Sequence, residues 1–217
     1  MNLNQLQPFG LAIMAVIAVV VVVKFIIDCR KEERFVIETL PSAGEVSRER
    51  VHDALERFKH YRGLWAFNRL AVVSCGTVPG GEPDEYIFQA GTSSVKVLCL
   101  LARDVASEDP IASLVGEAPA RFLPKLGRFC TWRWPDARVA WRVKLKYDKS
   151  TTRTSYEGIE ATMFAYFDAV VRMRLPQPWF IEVAGHDVLF VFPLAKVHED
   201  VDKLVELHAR LHEDLQD

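Results

Sequence analysis

Cysteine is scarce and scattered. The four in the chain, Cys29, Cys75, Cys99 and Cys130, include no C-x-x-C pair. That excludes closely spaced zinc and redox frameworks and suits a reducing compartment, where thiols act as small apolar residues. Proline and glycine, 11 of each, gather into no rich tract, so folded structure is expected from about residue 35 to 215. No internal repeat is present. There is no G-x-S-x-G, no nucleophile signature around a cysteine and no carboxylate pair spaced for acid–base work. The sequence therefore points to no catalytic residue, no cofactor and no metal ligand set. Lysine and arginine are missing ahead of Lys24, which removes the basic n-region a secretory signal needs, and no Ala-x-Ala cleavage site follows Ile27.

What is present is one long apolar run. Phe9 to Ile27 carries a single charge, Lys24, and at about 1.5 Å per helical residue it matches the ~30 Å hydrocarbon layer. One uncleaved transmembrane helix is expected, with Lys24 near its end reaching the head groups. Lys24, Arg30, Lys31 and Arg34 crowd its C-terminal side as interface anchors. By the positive-inside rule they put the N-terminus outside and the C-terminal domain in the cytoplasm of a cell (inner) membrane protein. Asp28 before Cys29 is too large for lipoprotein processing. The expected plan is a short tail (1–8), a transmembrane helix (9–27), a charged collar (28–34) and a cytoplasmic domain (35–217).

The domain reads as mixed, hairpin-rich α+β. Phe35 to Leu40 has the β-branched character of a short strand. Ser47 caps a helix running to about Arg62, with Val51, Leu55 and Phe58 on one face. Strands are expected at 70–75, 86–89 and 95–101, and two short helices within 107–127. Val139 to Tyr147 alternates apolar residues with Arg142, Lys144 and Lys146, which predicts a strand with one buried and one cationic face. A capping box at 154–157 opens a helix to about Met173, with Ile159, Met163, Tyr166, Phe167 and Val170 inward. Strands at 179–183 and 188–192 flank a turn at 184–187. An amphipathic helix from about His198 to Leu215 turns Val201, Leu204, His208, Leu211 and Leu215 inward.

Three motifs invite chemistry and each has a plainer reading. The loop Gly76 to Gly81 follows a strand as phosphate loops do, but no Lys-Ser/Thr follows, and Glu82, Asp84 and Glu85 would repel a phosphate. His208 and His212 lie one helical turn apart, yet no third ligand stands at a fixed spacing, so a core-edge histidine beside a solvated one is the expectation. His186 and Asp187 sit at a hairpin tip, where such residues commonly serve the turn.

Charge is segregated. Between Arg121 and Arg153 ten basic residues face two acidic ones, Asp136 and Asp148, a balance of +8; from residue 154 onward five basic residues face twelve acidic ones, a balance of −7. Within the basic segment Arg128, Trp132, Arg133, Trp134, Arg138, Arg142, Lys144 and Lys146 form the candidate contact surface. Basic residues with tryptophan suit anionic lipid head groups or a protein partner, and a membrane tether argues against nucleic acid. The reading that results is a non-catalytic accessory or scaffold subunit working with other membrane-complex proteins. Its rivals are a tethered small-ligand sensor and a membrane-bound enzyme built on a histidine–carboxylate pair.

Overall fold

The computed structural model describes residues 7–58, 61, 71–92, 95–103, 112–115, 128–133, 140–147 and 165–213, with side chains described in these ranges except at 7–12, 112–115, 128–133 and 140–147. The chain opens with one helix, α1 (Gln7–Thr39). The apolar run, the charged collar and the residues expected as a strand at 35–40 are all part of it. That strand expectation is overturned: a helix already formed upstream adds each further residue at the cost of fixing only that residue. Helical spacing then puts Val36 and Leu40 four apart on one side, where both are buried. The Val36 N–H also donates to Ser74 Oγ at 3.0 Å, fastening the end of α1 to the first strand.

Helix α2 (Arg48–Leu55) is shorter than expected but begins as read, with Ser47 Oγ accepting the Arg50 N–H. Its Val51 and Leu55, together with Phe58, are buried. Strands β1 (Ala71–Thr77), β2 (Tyr86–Gly91) and β3 (Lys96–Arg103) follow as a meander. Next come β4 (Ala112–Val115), β5 (Arg128–Arg133), β6 (Ala140–Tyr147), β7 (Phe180–Ala184) and β8 (Asp187–Pro193). Helix α3 is described over 165–172. Short α4 (Leu194–Val197) and α5 (Val201–Glu213) end the described chain. The last helix thus starts three residues later than expected, after a separate turn of helix.

The sheet is antiparallel throughout, in the order β1-β2-β3-β8-β7-β4-β6-β5. β4 lies where a helix was expected within 107–127. A short helix gains little from its own hydrogen bonds, whereas here these four residues hydrogen-bond to β6 on one side and β7 on the other. β5 is a strand that the pattern of alternation did not announce. Gly185 takes φ +65 in the tight β7–β8 turn, a conformation glycine adopts without steric cost.

Strands β3 and β8 are buried on both faces, because helices cover both sides of the sheet. On one side Leu98, Leu100, Phe190 and Phe192 pack with Val36, Leu40, Tyr166, Phe167, Val170 and the apolar face of α5. On the other, Val97, Cys99, Leu101, Leu189 and Val191 pack with Val51, Leu55, Phe58 and Tyr61. The fold is α+β. Ile159, Met163 and Leu215, expected in the core, lie outside the described residues.

Candidate functional site: a buried carboxylate between two histidines

Helix α5 owes its position to an apolar face of Val201, Leu204, Leu207, His208 and Leu211, all buried. His208 and His212, four apart, rise together from its C-terminal half. The loop between β1 and β2 brings up the third group. Gly81 N–H donates to the Val78 carbonyl and Glu85 N–H to the Glu82 carbonyl, and these two successive turns deliver Glu85 to the start of β2. Its side chain is 1% exposed.

The Glu85 carboxylate is fully engaged. Oε2 accepts from the Glu82 N–H at 2.6 Å and Oε1 from the Arg103 N–H at 2.7 Å. His208 Nε2 lies 2.8 Å from Oε2 and His212 Nε2 3.1 Å from Oε1, while the two Nε2 atoms are 3.1 Å apart. Burial pushes the carboxyl up, but the hydrogen bonds from His208, Arg103 and Glu82 outweigh it and hold Glu85 down at about 2. The chemistry open to this cluster is that of two imidazoles and one carboxylate converging on a point, the donor set of a divalent transition metal.

Sequence reading placed His208 correctly on the buried face. It expected His212 to be solvated, whereas its side chain is only 28% exposed and is held in the cluster. Glu85 was missed as a partner: it is more than 120 positions away, and read locally it was one acid among three in a loop. The tip pair does not assemble: His186 is exposed, while Asp187 is buried and ion-paired with Arg57. Burial raises the Asp187 carboxyl, and Arg57 and Arg103 oppose that rise. A histidine–carboxylate pair thus exists, at Glu85–His208 and not at the hairpin.

The interface anchors Lys24, Arg30, Lys31 and Arg34 are all exposed on α1. At 100° per residue they fall on the side opposite the buried Val36 and Leu40. Two of the collar's three acids turn to the domain instead, Glu32 pairing with Lys96 and Glu33 with Arg48 at 3.1 Å. From Ile13 to Ile27 the large apolar side chains are 46% to 68% exposed. Among the described residues no helix is long and apolar enough to cross a membrane. Described side chains begin at Ile13, and from there to Ile27 the rise is about 22 Å; the expected span began four residues earlier.

Of the basic surface, Trp134 and Arg138 lie outside the described residues. The β5–β6 register sets Arg142 opposite Thr131 and Lys144 opposite Phe129, and Trp132 opposite Trp141. Since successive residues alternate along a strand, Arg133, Arg142, Lys144 and Lys146 occupy one row of positions and Arg128 and Trp132 the other. The segment forms the β5 edge of the sheet.

No family model matches the chain, and no curated protein matches it. Among solved structures it is similar to the crystal structure of the mycobacterial trehalose monomycolate transport factor A, TtfA, with 12% identity over 67% of this chain and 72% of that one and a TM-score of 0.38. A likeness of that degree carries no functional weight.

Proposed function

We propose that this chain is a single-pass, membrane-anchored accessory or scaffold subunit, with its α+β domain in the cytoplasm and engaged by other proteins of a membrane complex. One observation carries the reading: from Ile13 to Ile27 the helix carries the single charge of Lys24, and its large apolar side chains are exposed on every side, with none of the described residues covering them. A helix of that kind needs a surrounding apolar medium, and with Phe9 to Ala12 it has the length of a bilayer core. The exposed bases of α1 support the orientation, and α1's unbroken course into the core supports close approach of the domain to the leaflet. Val36 is about 14 Å along the helix from Ile27, which brings the α1-packed side of the sheet close to the leaflet; the basic β5–β6 edge is at the other end of the strand order from β1 and meets head groups where the sheet lies along the membrane surface.

The test is extraction of the full chain from its native membrane. Retention in the pellet after an alkaline carbonate wash is the expected result, and release into the supernatant overturns the anchor. In sealed vesicles an impermeant maleimide should reach the partly exposed Cys29 from the cytoplasmic face alone; labelling from the other face reverses the orientation. A protein co-purifying at fixed stoichiometry in mild detergent supports the accessory role, and a chain that emerges alone removes it.

A further inference from the structure

Three contacts link three groups at the cluster, and protons cannot satisfy all of them. A neutral imidazole carries one N–H, and each contact needs one hydrogen between its two heavy atoms. Both carboxylate oxygens of Glu85 accept a backbone N–H, an arrangement that favours the ionised carboxylate, and toward an ionised carboxylate both histidines present N–H. The remaining contact, His208 Nε2 to His212 Nε2 at 3.1 Å, then sets N–H against N–H. Removing the hydrogen from one ring leaves a nitrogen lone pair against a carboxylate oxygen instead. A cation among the three resolves every contact at once, because all three groups can offer it a lone pair.

We propose that Glu85, His208 and His212 bind a divalent transition metal, zinc by preference, as a three-ligand site. Two imidazole nitrogens and one carboxylate suit zinc and its neighbours in the series; magnesium and calcium take oxygen-rich sets. In a tetrahedral site with bonds of about 2.0–2.1 Å, ligand atoms stand about 3.3–3.4 Å apart. The separations here are 2.8 Å and 3.1 Å, so loading requires the three atoms to part by a few tenths of an ångström. The supports of a metal site are also in place. Backbone N–H groups of Glu82 and Arg103 orient the carboxylate from outside. Gly81 leaves room beside it, since a Cβ there would stand 2.7 Å from Oε2 and 3.1 Å from His208 Cε1. His212, the least buried ligand, marks the way in. The metal would clamp α5 to the loop before β2, two segments more than 120 positions apart, and its ligands include no residue of α1, so the site is independent of the anchoring reading.

The experiment uses the untagged full chain in detergent, stripped with chelator and titrated with zinc chloride. One zinc per chain by elemental analysis, with a melting temperature that rises with zinc concentration, is the expected result. Magnesium and calcium at the same concentrations should leave it unmoved. Cobalt in place of zinc should give the visible absorption of a tetrahedral nitrogen–oxygen site. His212→Ala, at the partly exposed ligand, should lose the zinc-dependent rise in melting temperature, each chain being compared with its own stripped form. The expected weakening exceeds the roughly 10–100-fold that outer-shell partners are worth. Glu85→Gln, which preserves shape, should weaken binding as well. Absence of stoichiometric zinc, or zinc binding left unchanged in both variants, overturns the proposal.

Discussion

Gly81 stands so close to Glu85 that a methyl group on its Cα would lie 2.7 Å from Oε2 and 3.1 Å from Val78 Cβ. The carboxylate cannot swing aside, because four groups hold it. Gly81→Ala therefore forces the loop or the cluster to shift. The expected cost is about 1–3 kcal/mol, typical of overpacking, measured as a lower chemical-denaturation midpoint. Gly80→Ala is the contrast. Nothing lies within 4 Å of its Cβ position, but its φ of +76 strains any side chain, so it should lose stability without moving the His208 and His212 ring resonances that Gly81→Ala displaces.

Asp187 gives the pH prediction. Burial lifts its carboxyl above the ordinary 3.8, against the pull of Arg57 and Arg103. A raised acid keeps its proton in the folded chain at a pH where the unfolded chain has released it. Its contribution to stability is thus fully present below 3.8 and is lost as pH rises through the folded value. Carboxyl carbon resonances should show Asp187 titrating above 3.8. In Arg57→Ala the midpoint should climb further, and the destabilisation relative to wild type should be larger at neutral pH than at pH 4. A midpoint at or below 3.8 contradicts this account.

Where a local rule governed, the sequence was readable. Ser47 caps α2 because its hydroxyl meets an N–H three residues on, and Gly185 marks a hairpin because the turn needs positive φ. Where the outcome depended on distant partners, it was not. Val36 and Ile37 look like strand residues in a six-residue window, yet the helix upstream carries them on and the core accepts them at helical spacing. β4 has no pattern of its own and is a strand because two edges flank it. Glu85 looked like a loop acid, since nothing at its end of the chain announces two histidines on α5.

β4 also supplies a sharp mutational test. Leu114 stands opposite Leu145 on β6 and Ile181 on β7, so proline there removes a ladder donor from a strand paired on both sides. The expected loss is at least the roughly 1–3 kcal/mol of a hydrogen-bonding group left unsatisfied, since proline belongs on edge strands and not between two partners. Amide exchange should quicken across 128–133 and 140–147, which join the sheet through β4, while 96–103, held between β2 and β8, stays protected. Uniform loss of protection would mean that β4 is not a separable link.

The basic edge can be tested in place, because all five tryptophans, Trp65, Trp132, Trp134, Trp141 and Trp179, lie outside the apolar run. Reconstituted in nanodiscs containing brominated anionic lipid, the full chain should show quenched tryptophan fluorescence at low salt. Each Lys or Arg near such a surface is worth about 1 kcal/mol, so Arg142, Lys144 and Lys146 together contribute on the order of a hundredfold in leaflet contact. Changing all three to Glu should abolish the quenching, and Arg128→Glu, in the other row of the register, should reduce it less. Raising ionic strength to 1 M, where the Debye length falls to about 3 Å, should act like the triple change. Equal quenching in neutral and anionic discs, or indifference to the triple change, would assign the basic edge to a protein partner or to the domain's own acidic half instead of the lipid.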